Sequence, residues 1–296
     1  MTQFLSLLIN GLSLGAIYAL IALGFAVIFK ATEVVSFMHG SLLLFGAYTI
    51  ARLNASMNFW VAAAIGIAAT ALVGLVVERV LINRLRGAAV ISLAILTIGV
   101  DILVFTEFTR RIGSDIPNIQ QPWGGSVVRL GEIGITANRL IAMLVAAVLI
   151  AAFFAVFKFS EWGIAMRAAA EDGETAALMG IKLGRVSALA WVVAAALAAV
   201  AGLFLAGSPT PGVSTNVHTV ALRAFPAAIL GGLDSTGGAL VGGLIIGLAE
   251  SFAAGYQEQL LFLGRGFGDV VPYVVMILVL LVRPSGLYGT KELTRV

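Results

Sequence analysis

The chain has 296 residues, 60% of them hydrophobic and 11% charged, with a net charge of +3. Soluble domains carry roughly 25% charged residues, so this chain lacks the polar surface to cover itself and reads as a single all-α, polytopic membrane domain over residues 1–296. The absence of cysteine excludes disulfides, thiolate metal sites and cysteine nucleophiles. The positive charge is read as an orientation signal beside membrane helices in contact with lipid, not as a nucleic-acid surface.

A spanning helix needs about 20 apolar residues. The start, Met-Thr-Gln-Phe, has no basic n-region, so the first apolar run, Phe4–Phe29, is expected to stay as a helix. Val34–Ile50 contains Met38-His39-Gly40 and reads as a lead-in loop plus a short helix. Phe59–Val77 is an uncharged span, and Gly87–Val100 continues past Asp101 to Thr106. Leu140–Phe157 and Val186–Gly207 are clear spans. The remaining runs, Ala224–Leu233, Ser235–Ala249 and Val271–Val282, are short and interrupted by glycine or by Pro226 and Pro272. Short broken pieces at membrane depth are tolerated where protein or a water-filled cavity covers them, and they point to a transport path. Eight or nine membrane helices are expected, with the region around His39, Gly40, Pro226, Gly231 and Gly232 as candidate pore or broken-helix backbone.

Orientation follows from the basic residues. Placing residues 160–185 in the cytoplasm puts 11 of the 18 Lys and Arg inside, among them Lys30, Arg79, Lys158, Arg167, Lys182 and Arg283. The N-terminus then lies outside, as does the largest external loop, about residues 108–138, with Trp123. Glycine pairs at four-residue spacing, Gly11/Gly15, Gly238/Gly242 and Gly243/Gly247, favour close helix contacts.

The stretch Arg167 to Gly184 is a charged, alanine-rich island, too polar to span a bilayer and too short to fold as a domain. It reads as two short helices broken at Gly173 and ended at Gly180, with Ala176 and Ala177 small enough to seat the second helix against another protein. Motifs for chemistry are lacking. No Gly-x-x-x-x-Gly-Lys-Ser/Thr loop is present to cradle ATP, so no cofactor is expected on this chain. His39 and His218 stand far apart in sequence, so a metal site is not expected. Asp101 lies deep within its span and is by default a functional candidate, against the plainer reading that it bonds to a neighbouring helix.

The chain resembles the permease subunits of bacterial ABC importers for branched-chain amino acids and, more distantly, of ribose-type sugars. The resemblance rests on Gly11-Leu-Ser-Leu-Gly-Ala-Ile-Tyr-Ala-Leu, Val35-Ser-Phe-Met-His-Gly-Ser, Met166-Arg-Ala-Ala-Ala-Glu-Asp with Gly180-Ile181, Phe225-Pro-Ala-Ala-Ile-Leu-Gly-Gly-Leu and Arg283-Pro-Ser-Gly-Leu-Tyr-Gly. It implies a multi-pass protein of the bacterial inner membrane that is not itself an enzyme. It also implies a second related permease, two cytoplasmic ATPase subunits and a periplasmic solute-binding protein. The island, through Glu171, Glu174, Ala176, Ala177, Gly180 and Ile181, would match the importer coupling loop, with Thr175 standing between the Glu and the paired alanines. The cargo stays open between branched-chain amino acids and other small polar solutes such as urea or amides. An ion-coupled secondary transporter is the competing class, with Asp101 as its coupling group.

Overall fold

A computed structural model describes residues 2–85, 87–113, 116–130, 133–207 and 212–290. Eleven helices are present among them: α1 (Thr2–Thr32), α2 (His39–Asn54), α3 (Phe59–Val77), α4 (Val90–Ile112), α5 (Ala137–Phe159), α6 (Glu161–Glu171), α7 (Gly173–Leu178), α8 (Leu183–Leu205), α9 (Asn216–Gly231), α10 (Thr236–Gly255) and α11 (Phe267–Val282). Six are long and apolar enough to cross a membrane: α1, α3 with its extension to Leu85, α4, α5, α8 and α10. The fold is not purely helical. An antiparallel hairpin, β1 (Val127–Leu130) and β2 (Ile133–Thr136), leads into α5 and pairs Val127 with Thr136.

α1 is the hub, antiparallel to α10 and close to it because both helices are stripped of bulk where they meet. A Cβ on Gly11 would fall 2.9 Å from Leu248 Cδ2, and one on Gly15 2.9 Å from Leu244 Cα. Gly243 faces the Ala19 backbone, and Gly247 the Gly15 backbone. Small residues allow this approach where no hydrophobic force drives helices together in lipid. The buried core runs from α1 through α2, α3, α8, α9 and α10, with Tyr18, Ile21, Leu42, Leu43, Ile50 and Trp191 among its largest members.

These contacts define two ends. The start of α1, the start of α5 and the ends of α2 and α8 share one end, the N-terminal face: Ser13 Oγ donates to the Arg139 carbonyl, Asn138 Nδ2 to the Phe204 carbonyl, and the Gln120 amide to Asn54 Oδ1. Trp123 lies there, bonded to Asn138 and stacked on Phe204. The end of α1 and the α9–α10 turn form the opposite, island face, where Lys30 Nζ donates to the Asp234 carbonyl. The tail closes this face, with the Leu287 and Tyr288 amides donating to the Leu230 and Gly231 carbonyls.

Three helices stop short. α2, α9 and α11 have 16 residues each, about 24 Å at 1.5 Å per residue, against a hydrocarbon layer of about 30 Å. The expected lead-in loop over 34–38 is present: Glu33, at φ +56°, ends α1 and turns the chain back into the bundle before α2 begins at the fully buried His39. The region around Pro226 corrects the expectation of a broken segment. α9 is continuous through Pro226, and the break falls at Gly232–Ser235 instead. Proline deprives the carbonyl four residues earlier of its partner. Here that carbonyl, on Leu222, accepts from the Tyr273 hydroxyl at 3.2 Å. The expected short run 235–249 is the full-length α10.

Candidate functional site

Three polar places stand out in an apolar bundle: a junction at its centre, a cavity on the N-terminal face and the island on the opposite face.

The junction gathers α2, α4 and α9. Ser41, third residue of α2, has an amide with no partner inside its own helix. Asp101 on α4 supplies one, accepting from the Ser41 amide at 3.2 Å and from Ser41 Oγ at 2.6 Å. One turn earlier, Thr97 Oγ1 accepts from the Phe37 amide at 3.1 Å. A carboxylate at a helix start is also favoured by the helix dipole. The other carboxylate oxygen of Asp101 lies 2.9 Å from His218 Nε2 on α9, and the His218 ring rests on Phe105, one turn beyond Asp101. Thr97, Asp101 and Phe105 therefore form a single stripe on α4 that fixes the starts of two short helices, α2 and α9. Gly40 belongs to the same contact, since a Cβ there would fall 2.7 Å from the His218 ring. Sequence separation hid this meeting: His218, far from Asp101 in the chain, is its neighbour in space. No group of three metal-binding side chains occurs among the described residues. His39 packs its ring on Phe25 at 4.4 Å and lies beside Gly24, away from any carboxylate partner among the described residues.

The N-terminal-face cavity has a volume of about 780 Å³ and lies within this one chain, between α1, α5, α9, α10 and α11. Its floor is ionic. Tyr18 donates to Glu250 Oε2 at 2.6 Å, and Arg223 bridges Glu250 Oε1 at 3.1 Å and Asp269 Oδ1 at 2.8 Å. Arg139, bonded to Asn10, lines its side. Sequence reasoning missed the partners of Glu250, because Tyr18 and Arg223 come from two other helices. The one legible signal was an Arg and a Glu within apolar runs.

The island is built by its caps. Ser160 accepts from the Gly163 amide to start α6. Asp172 starts α7, accepting from the Thr175 amide at 3.0 Å and from its hydroxyl at 2.7 Å. Those donors hold the Asp172 carboxyl below the usual carboxylate range. Gly180 ends α7 at φ +89°. The Ile181 amide reaches back to the Ala176 carbonyl and the Gly180 amide to that of Ala177, the paired bonds of a glycine-closed helix end. The break thus sits at Asp172, one residue before the expected Gly173, and the end at Gly180 as expected. Glu171 ends α6 and Glu174 lies in the first turn of α7. Ala176 and Ala177 part company: Ala176 is buried against this chain and Ala177 is exposed. Leu178 and Met179 are 87% and 80% exposed beside it, and Ile181 packs against the cluster around Leu20, Met166 and Val186. At the α9–α10 turn Gly231 touches Gly238 backbone to backbone, Gly232 takes φ +101°, and Pro226 is buried inside α9.

Comparison with known proteins agrees along the whole chain. Residues 7–280 match the family described as branched-chain amino acid transport system / permease component. The high-affinity branched-chain amino acid transport system permease protein LivH of Escherichia coli K12 is 32% identical over 308 residues, covering 99% of this chain and 98% of that one. The corresponding BraD protein of Pseudomonas aeruginosa is 32% identical over 313 residues, with the same coverage. A probable LivH of Methanocaldococcus jannaschii is 28% identical over 287 residues, covering 93% and 90%. Among solved structures, PsaBC from Streptococcus pneumoniae in complex with Fab superposes with a TM-score of 0.51 at 14% identity, covering 94% and 92%, a likeness of fold alone. A polytopic bundle of apolar helices, with a stripe of small residues at its hub and end-to-end similarity to these permeases, belongs to the family of permease components of branched-chain amino acid transport systems.

Proposed function

We propose that this chain is the membrane subunit of an ABC importer, forming with a second permease the path by which branched-chain amino acids cross the bacterial inner membrane. A permease component is not an enzyme; ATP is hydrolysed by other subunits of such a system. The reading takes the chain as one domain with nine crossings, α1 to α5 and α8 to α11, in which α2, α9 and α11 are short and the N-terminal face is periplasmic. Two ATPase subunits dock on the island face and a solute-binding protein on the other.

The island carries the proposal. A rigid, capped pair of short helices that projects Ala177, Leu178 and Met179 from an otherwise membrane-embedded chain offers a partner a grip. Closure of the ATPases on ATP would push α7, and Gly180 and Ile181 would pass that push to α8. Glu171 and Glu174 sit at the rim as contacts for basic partner residues. An ion-coupled carrier loses its main support, because Asp101 is already engaged by Ser41 and His218.

The test is gentle affinity purification of the chain from its own membranes, then reconstitution of what accompanies it. Subunits carrying a Gly-x-x-x-x-Gly-Lys-Ser/Thr loop, and leucine uptake by proteoliposomes that requires ATP and the binding protein, are expected. Recovery of the chain alone across several detergents, with uptake driven by an ion gradient, overturns the proposal.

A further inference from the structure

The cavity on the N-terminal face lies beside the α1–α10 contact, and Tyr18 and Glu250 in its floor join those two helices. Its volume of about 780 Å³ falls within the roughly 300–1,000 Å³ of small-molecule sites. Its ionisable lining is two guanidiniums, Arg139 and Arg223, and two carboxylates, Glu250 and Asp269, which sum to zero charge. Ile17 and Val220 belong to an apolar wall of the same cavity. Such a lining repels a net anion or a net cation no more than the other, but it gives each end of a dipolar solute a partner and its side chain a dry surface. Glu250 is occupied on both oxygens by Tyr18 and Arg223. Asp269 is different: Arg223 reaches one of its oxygens, and its side chain is 64% exposed.

We propose that this cavity holds one free amino acid in zwitterionic form, its carboxylate toward Arg139, its ammonium toward Asp269 and its branched side chain against Ile17 and Val220. The site deepens the proposed function, on which it rests. It lies inside one permease chain, so it is a waiting place on the way to the path between two permeases. Arg223, Glu250 and Asp269 are engaged with one another, and Asp269 is largely exposed, which keeps binding weak. Transport requires that, because a solute held tightly does not leave.

The chain contains no cysteine, so a single Val220→Cys reports on the cavity wall. The assembled complex in lipid nanodiscs is treated with a small thiol reagent, and labelling of this chain is read by mass spectrometry. Leucine is expected to slow labelling. Isovalerate, which lacks the ammonium, and isoamylamine, which lacks the carboxylate, should each protect less at equal concentration. Asp269→Asn, at an exposed side chain, should weaken leucine protection about tenfold, the effect of one charge-assisted hydrogen bond, and leave isovalerate protection unchanged. Labelling indifferent to leucine, or equal protection by all three compounds, overturns the proposal, as does leucine protection that Asp269→Asn leaves intact. Slow labelling that only lipid removal accelerates identifies an acyl chain as occupant and also overturns it. A complex that imports leucine with ATP yet shows any of these outcomes loses the cavity and keeps its function; one that imports no leucine loses the function itself.

Discussion

α1 and α5 look alike as sequence: both are long, apolar and long enough to cross a membrane. In the fold they are opposites. In the most apolar stretch of α1, 78% of residues are buried, whereas in that of α5 only 17% are. Hydropathy cannot separate them, because a leucine facing lipid is as well solvated as one facing protein. Glycine separates them: α1 has three and α5 none. α1 carries Gly11, Ser13, Gly15, Ala19, Ala22 and Gly24 where other helices cross it, while α5 turns Leu144, Val148 and Val156 outward. Burial in this protein is decided by how closely backbones can approach, and apolarity only admits a helix to the membrane.

That contrast can be broken most directly at Gly247, whose Cβ would strike the Gly15 backbone. Gly247→Leu is expected to cost at least about 3 kcal/mol, the upper range for overpacking against atoms that cannot yield, and to abolish a monodisperse peak in size-exclusion chromatography. A normal peak would mean that α1 and α10 need no close contact. Asp101→Leu comes next. It strips His218 and the Ser41 amide of their acceptor, an expected loss of about 2–3 kcal/mol, read as a lowered midpoint in thermal unfolding. Asp101→Asn keeps an acceptor and should recover much of it; equal loss in both would show that the charge matters more than the bonds. Gly180→Val addresses a region outside both helices. Its β-branched side chain at φ +89° is expected to cost about 1–2 kcal/mol locally and to reduce ATP-coupled uptake with membrane insertion intact, and Gly180→Asn should retain more uptake than Gly180→Val.

The smallest effects test the other side of the contrast. Leu144→Ala, at a lipid-facing position of α5, should shift the unfolding midpoint by no more than about 0.5 kcal/mol equivalent. A larger loss would mean that a partner chain covers that face. Acidification should loosen α7. The folded Asp172 carboxyl titrates below its unfolded value, so its contribution is present above the unfolded value and lost as pH falls through the lowered one, below about 4. Hydrogen exchange at the Thr175 amide, corrected for intrinsic rate, should rise in that window and lose its pH dependence in Asp172→Asn.

Much of this was legible beforehand because spans and caps are local signals. Phe59–Val77 was readable to the residue, and Gly173 with Gly180 bracketed α7 to within a residue. The α9–α10 turn fell where the two runs were separated, but α9 was misjudged as broken because Pro226 is a strong local breaker whose cost is met by a distant group, the Tyr273 hydroxyl. The island face was legible as a surface but not in register: Ala176 and Ala177 look equivalent in sequence, and only the bonds of the Gly180 turn send one inward and the other out. The junction and the cavity were illegible for a single reason. Asp101 meets His218, and Tyr18 meets Glu250, across more than a hundred residues, and no spacing rule reaches that far.

The pairing of α1 with α10 also sets a timetable. α1 leaves the ribosome more than 200 residues ahead of α10, its chief partner. Until then its glycine stripe faces lipid or passing helices. A newborn chain is therefore most exposed to mispairing and degradation in the interval before α10 arrives, and a truncation that removes α10 leaves the glycine stripe of α1 without its closest contact.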